Sequence, residues 1–126
     1  MIVVGSNIKV IDKSGALMAE CIRFVDRSRF SYAGIRLLVV VKKSMRVRKK
    51  KRSVRKSEMH LALVVKQKGP VARSMGYSVY FPSTSIILLK KGDDTPMSNR
   101  LTGSVSKDLR FRGGFSRILS MAYDVF

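Results

Sequence analysis

The 126-residue chain has only 8 acidic residues, 1 cysteine, 1 histidine, 3 prolines and no tryptophan. A single cysteine, Cys21, cannot close an internal disulfide, which excludes a stapled secreted scaffold and suits a reducing compartment. His60, the one histidine, cannot complete a Cys/His zinc cluster, so no metal is expected. The acids are scattered, and the one adjacent pair, Asp93-Asp94, sits in a turn where Asp is common. Ser14 precedes a glycine but lacks the flanking glycines of a nucleophile elbow. Lys56-Ser57 lacks the glycine-rich lead of a phosphate loop. No catalytic residue and no cofactor is therefore expected. No apolar run, the best being the length of Leu37 to Val41, comes near the roughly 18 residues a membrane span requires. The opening MIVVGSNIKVIDKSG has no basic lead into a signal core and too little Arg for a transit peptide. The expectation is a soluble intracellular domain with no visible address label.

Positive charge is abundant. Lys and Arg number 26, for a formal charge of +18, while 45% of residues are hydrophobic. That apolar fraction supports a core, and the length suits one domain, 1–126. So much like charge repels itself unless a polyanion or a salt atmosphere offsets it, which makes nucleic acid, an anionic membrane or an acidic partner the first candidates for a ligand.

The first half reads as strands. Ile8 and Val10 alternate with Lys9, and Asp12-Lys13-Ser14-Gly15 supplies turn residues. Met18 to Val25 is a second strand and Ile35 to Val41 a third, rich in β-branched residues. Met59 to Val65 alternates and ends before Gly69-Pro70. Tyr77, Val79 and Phe81 occupy alternate positions, then Ile86 to Leu89 resumes after Pro82. The tail changes period: Phe115, Ile118, Leu119 and Ala122 form the stripe of a short amphipathic helix. Ser106 is placed to cap an earlier turn containing Asp108 and Leu109. Five or six strands followed by short helices predict an all-β barrel with a helical C-terminal part, about 105–126.

The segment 42–56, KKSMRVRKKKRSVRK, is the least ordinary. Ten of its 15 residues are Lys or Arg, and without it the charge falls to +8. A charge run can be a solvated linker, but Met45, Val47 and Val54 are too sparse to anchor a core, so a protruding basic arm is expected. Phosphate neutralisation by such an arm releases counterions irrespective of base sequence. Aromatic and basic residues mix at Arg27, Arg29, Phe30 and Tyr32, and again at Arg110, Phe111 and Arg112, a mixture that suits stacking on unpaired bases. The arm has no wide apolar face for a membrane surface. No basic recognition helix suited to DNA is evident. RNA held by a β scaffold and an arm is the reading that remains. Its competitor is a free RNA-binding or RNA-chaperone small barrel.

These motifs resemble a known family, the universal large-subunit ribosomal protein numbered fourteen, in its bacterial and organellar form. Met1-Ile2, Val10, Asp12, Ser14-Gly15-Ala16 and Cys21-Ile22 match the family's start without a gap. Ser28 and Tyr32-Ala33-Gly34 follow at its spacing. Lys56 to Lys66, KSEMHLALVVK, is similar to its lysine-glycine-aspartate turn and the strand after it. Gly76, Phe81, Pro96, Arg100, Gly103, Val105, Leu109-Arg110, Phe115, Ile118, Ser120 and Ala122 track the remainder. Ser57 stands where the family has glycine, Glu58 where it has aspartate, Pro82-Ser83-Thr84 where it has Asp-Gly-Asn, Ser98 for a glycine and Ser104 for a proline. The arm is about two residues longer, and one residue is added near Phe111. Such drift on an intact pattern suggests a mitochondrial ribosome, with a plastid or bacterial cytoplasm as the alternatives.

The resemblance implies a small closed five-stranded β-barrel with a projecting basic β-ribbon and short C-terminal helices, and no catalytic activity. It implies binding to large-subunit rRNA, neighbouring large-subunit proteins three and nineteen, and bridges to small-subunit rRNA. It also implies a face on which a ribosome-silencing factor docks, and neither a membrane nor a second copy of the chain as partner. The rRNA-binding candidates are Arg29, Tyr32, Lys42, Lys43, Arg46, Arg48, Lys49, Lys50, Lys51, Arg52, Arg55, Lys56, Lys66, Lys68, Arg73 and Arg110. Asn99, which replaces a threonine, Arg100 and Arg117 are the subunit-interface positions.

Overall fold

The computed structural model describes residues 2–26, 33–45, 54–92, 95–110 and 116–126. Alternating apolar residues place Ile8 and Val10 inside and Asn7 and Lys9 outside along β1 (Asn7–Val10). The turn at 12–15 ends on Gly15, whose φ of +105° suits a residue without a Cβ. It delivers the chain to β2 (Ala16–Phe24), followed by β3 (Arg36–Ser44) and β4 (Met59–Lys66). A hairpin of β5 (Gly69–Ala72) and β6 (Ser78–Phe81) stands apart, and β7 (Ser85–Leu89) returns to the main sheet.

Strands β1, β2, β3, β4 and β7 close into a barrel. Closure is made by β1, which pairs antiparallel with β2 and parallel with β7. The interior is filled by Ile8, Val10, Ala19, Cys21, Leu37, Val39, Val41, Ala62, Val64, Ile86 and Leu88. Five strands enclose little volume, so small residues such as Ala19 and Ala62 alternate with branched ones there.

A second apolar cluster lies outside the barrel wall. Leu63, Val65, Ile87 and Leu89 point outward from β4 and β7 and are covered by Leu101, Val105, Leu109, Ile118 and Leu119. The cover consists of β8 (Ser104–Val105), a 3-10 turn (Lys107–Arg110), α1 (Ser116–Met121) and β9 (Asp124–Val125). Burial on both faces explains why β7 reads SIILL with no polar alternation after its first residue. The 3-10 turn starts as anticipated, with the Asp108 amide donating to Ser106 Oγ at 3.3 Å.

One local reading is extended and two change. Strand β4 ends at Lys66, before Gly69-Pro70 as expected, and Gly69-Pro70 itself opens β5, because tertiary pairing with β6 supplies a partner and an edge tolerates proline. Strand β3 runs beyond Val41 to Ser44, so Lys42 and Lys43 stand on the sheet. Val54, thought too isolated to reach a core, is 3% exposed and packs into the barrel. The helical stripe is confirmed at Ile118 and Leu119, both buried, while Phe115 lies outside the described residues.

The turn into β4 carries the one non-glycine residue with positive φ among the described residues, Ser57 at +71°. The Ser57 amide donates to the Val41 carbonyl at 2.8 Å, and the Val41 amide to the Glu58 carbonyl at 2.9 Å. Two residues thus oppose one, the bulge in which glycine normally takes the left-handed position. Replacing Ser57 by glycine should stabilise the protein by roughly 0.5–1 kcal/mol by relieving the left-handed penalty. Ser57→Val should destabilise it, since a β-branched side chain fits that region worse. Urea unfolding of the three proteins measures both; a glycine variant less stable than the parent would refute the bulge assignment.

Candidate nucleic-acid interface

The basic segment leaves and re-enters the barrel at one point. The Met45 amide donates to the Gly15 carbonyl at 2.7 Å, and the Val54 amide to the adjacent Ser14 carbonyl at 3.0 Å. Eight residues, 46–53, therefore span a closed gap whose two ends are fixed to one turn; they lie outside the described residues. Arg46, Arg48, Lys49, Lys50, Lys51 and Arg52 belong to them, as Arg29 and Tyr32 belong to the equally undescribed 27–32.

Asp12 organises that turn. Its Oδ1 accepts the Ser14 hydroxyl at 2.6 Å and the Ser14 amide at 3.2 Å, and its Oδ2 accepts the Leu88 amide at 2.9 Å. The residue is buried, and burial pushes its carboxyl above the usual range although these donors and the nearby His60 draw it back. The residue was read only as a turn former. In fact one carboxylate links the arm's anchor to β7, an arrangement that depends on barrel closure and has no local sequence signal.

Around the anchor, Lys13, Lys43, Arg55 and Lys56 are exposed. Lys42 reaches Glu20 across β2 and β3 at 3.1 Å. Glu58 holds His60 Nε2 at 2.9 Å, and that hydrogen bond keeps the Glu58 carboxyl below its ordinary range. Lys42, Lys43, Arg55 and Lys56 are thereby gathered at the arm's base.

The remaining candidates lie elsewhere. Lys68 is exposed beyond β4, its amide donating to Thr84 Oγ1 at 3.0 Å. Lys66, at the end of β4 away from the arm, is buried, with Nζ 3.3 Å from Ser104 Oγ. Arg73 is engaged within the chain: Nη1 donates to Asp108 Oδ1 at 2.6 Å and Nη2 to the Phe126 main-chain oxygen at 2.7 Å. It ties the β5–β6 hairpin to the C-terminal cover. Arg110 is exposed at the end of the 3-10 turn.

Asn99 and Arg100 are exposed in a loop that Ser98 joins to the 12–15 turn, with the Lys13 amide donating to Ser98 Oγ at 3.2 Å and to the Arg100 carbonyl at 3.3 Å. Arg117 is exposed on α1, and among the described residues no hydrogen bond or ion pair connects it to Arg100. Among the described residues no group of three His, Cys, Asp or Glu side chains converges to hold a metal.

A closed barrel with a clamped basic segment and a covering C-terminal part fits a whole-chain match to a family model described as ribosomal protein L14p/L23e, over residues 1–126. The chain belongs to that family. Among its relatives, Large ribosomal subunit protein uL14m of Schizosaccharomyces pombe is 36% identical over 120 residues, covering 91% of each chain. Its counterpart in Dictyostelium discoideum is 36% identical over 118 residues, covering 90% of this chain and 91% of the relative. The Neurospora crassa protein of the same name is 33% identical over 129 aligned positions, covering 97% of each. Family membership accounts for the barrel and for the surplus of positive charge in a single frame.

Two carboxylates, buried Asp12 and half-buried Asp26, should show opposite pH behaviour. Burial would raise Asp26, but the Arg36 guanidinium, 2.9 Å away, and the Arg36 amide outweigh it and hold the carboxyl low. Asp26 therefore adds stability above its unfolded value of about pH 4, lost as pH falls through its lower folded value. Asp12 is raised in the fold, so its contribution is fullest below about pH 4 and fades as pH rises through the folded value. Urea midpoints measured across acid pH should show the Asp26→Asn deficit shrinking on acidification. The deficit of Asp12→Ala should not shrink in that direction.

Proposed function

We propose that this chain is a structural constituent of the mitochondrial large ribosomal subunit, without catalytic activity, whose basic segment and exposed lysines bind large-subunit rRNA. The observation that carries the reading is the match of the entire chain to one ribosomal-protein family. The mitochondrial assignment is supported by the uL14m relatives, which align over nearly their full lengths. The physical arrangement agrees: the barrel provides a frame, and the clamped arm presents the charge. Contacts from Lys43, Arg46, Arg48, Lys49, Lys50, Lys51, Arg52, Arg55 and Lys56 are phosphate contacts that position the protein and read little base identity. Tyr32 and Arg29 add stacking where bases are unpaired. The finer partners are ribosomal proteins three and nineteen, small-subunit rRNA reached through Asn99, Arg100 and Arg117, and a silencing factor on that same face.

The native protein should sediment wholly with large subunits; a substantial free pool would defeat the reading. With about six phosphates neutralised, log affinity for the rRNA should fall against log salt with a slope of roughly −4 to −5. Association indifferent to salt would contradict the arm's role. Charge reversal at Arg100 and Arg117 should weaken subunit joining more than rRNA binding. Unchanged joining in sucrose gradients would remove those residues from the bridge.

A further inference from the structure

Strand pairing places a row of basic residues across the outside of the barrel. Lys43 on β3 is in register with Met18 on β2, and Met18 with Lys9 on β1. Lys9 is in turn in register with Ser85 on β7, and Ser85 with Lys66 on β4. Registered neighbours project from the same face, and adjacent strands lie about 4.8 Å apart, so Lys9 and Lys66 flank Ser85 at about 10 Å from strand to strand.

Three features mark this end of the row as incomplete. Lys66 is 9% exposed, yet among the described residues its ammonium meets one neutral partner, Ser104 Oγ, at a long 3.3 Å. An ammonium offers three donors, and one removed from water is normally matched with an anion. Among the described residues no carboxylate pairs with Lys66 or Lys9. Desolvation and the neighbouring Lys9 both lower the Lys66 pKa, the opposite of what a paired lysine shows. Between them Ser85, 1% exposed, has a buried Oγ without a hydrogen-bond partner among the described residues.

We propose that Lys9, Lys66 and Ser85 form a seat for one backbone phosphate of RNA. An oxyanion there receives charge-assisted hydrogen bonds from two ammonium groups and one from the Ser85 hydroxyl, with Lys66 turning from Ser104 to meet it. Lys43 starts the same row at the arm's base, so the strand held by the arm is continuous with the one reaching the seat. The ligand is RNA and not a free anion because the row is open to solvent along Lys43 and Lys9, both exposed, and can follow a chain of phosphates. The seat deepens the RNA-binding role proposed above and presupposes it.

The full chain is titrated with large-subunit rRNA at several salt concentrations, alongside variants shown to be folded by circular dichroism. Lys9→Gln and Lys66→Met should each make the log–log salt slope shallower by about one, as expected for loss of one phosphate contact. Lys9→Arg should retain the parental slope. Ser85→Ala should weaken binding several-fold at every salt concentration while leaving the slope unchanged. In the absence of RNA, Lys66→Met should melt higher than the parent, because it removes a desolvated charge; a purely structural lysine would melt lower. Inorganic phosphate, compared with chloride at matched ionic strength, should raise the parental melting temperature more than that of Lys66→Met. Parental slopes in both lysine variants, with rRNA binding intact, would overturn the seat alone. Failure of the parent to bind rRNA would overturn the RNA-binding role and the seat together. A phosphate response lost in Lys66→Met but unaccompanied by any change in RNA slope would reduce the seat to a free-anion site and overturn its assignment to RNA.

Discussion

Closure of the barrel is the constraint on which the remaining structure depends. Strand β1 is four residues long, yet it joins β2 on one side and β7 on the other. Without that parallel contact the sheet would present two unpaired edges and an apolar face to water. With it, Leu88 comes beside Asp12, and Ser85 comes between Lys9 and Lys66. The arm's anchor and the proposed phosphate seat are both consequences of the one seam.

The chain handles its surplus charge by separating it from the core. Met45 and Val54 hold the ends of the basic segment to adjacent carbonyls, and Val54 plugs the barrel beside them. The two anchoring bonds thus fix both ends of the basic segment where β3 leaves and β4 begins. The few acids are used close to home: Glu20 at Lys42, Asp26 at Arg36, Glu58 at His60 and Asp108 at Arg73. Among the described residues most lysines stay exposed, and of them Lys42 alone forms an ion pair, with Glu20. Lys66 is the exception, since it is withdrawn from water without a charged partner among the described residues.

Much of the frame could be read before folding. The alternation of Ile8-Lys9-Val10 and the β-branched run at 35–41 announced strands, and the stripe at Ile118 and Leu119 announced the terminal helix. Gly69-Pro70 marked that β4 had ended but not that a new strand begins there, because turn chemistry is local, whereas a strand edge is made by its partner. Val54 misled for a similar reason: one valine among cations looks solvated until its neighbours in space are known. Asp12 showed its turn role through Ser14 and Gly15, but not its hold on Leu88, which is 76 residues away.

The composition and order of residues alone determined that this chain is a basic β scaffold of a ribosomal family. Charge count and strand period are properties of the chain wherever it folds. Only the tertiary structure decided which cations are free and which are committed. Lys42, Lys66 and Arg73 look alike in the sequence, yet one meets Glu20, one is buried against a serine, and one clamps the C-terminal cover. The physical reason is that a side chain's charge is local, while its partners and its access to water are set by strands brought together from distant parts of the chain.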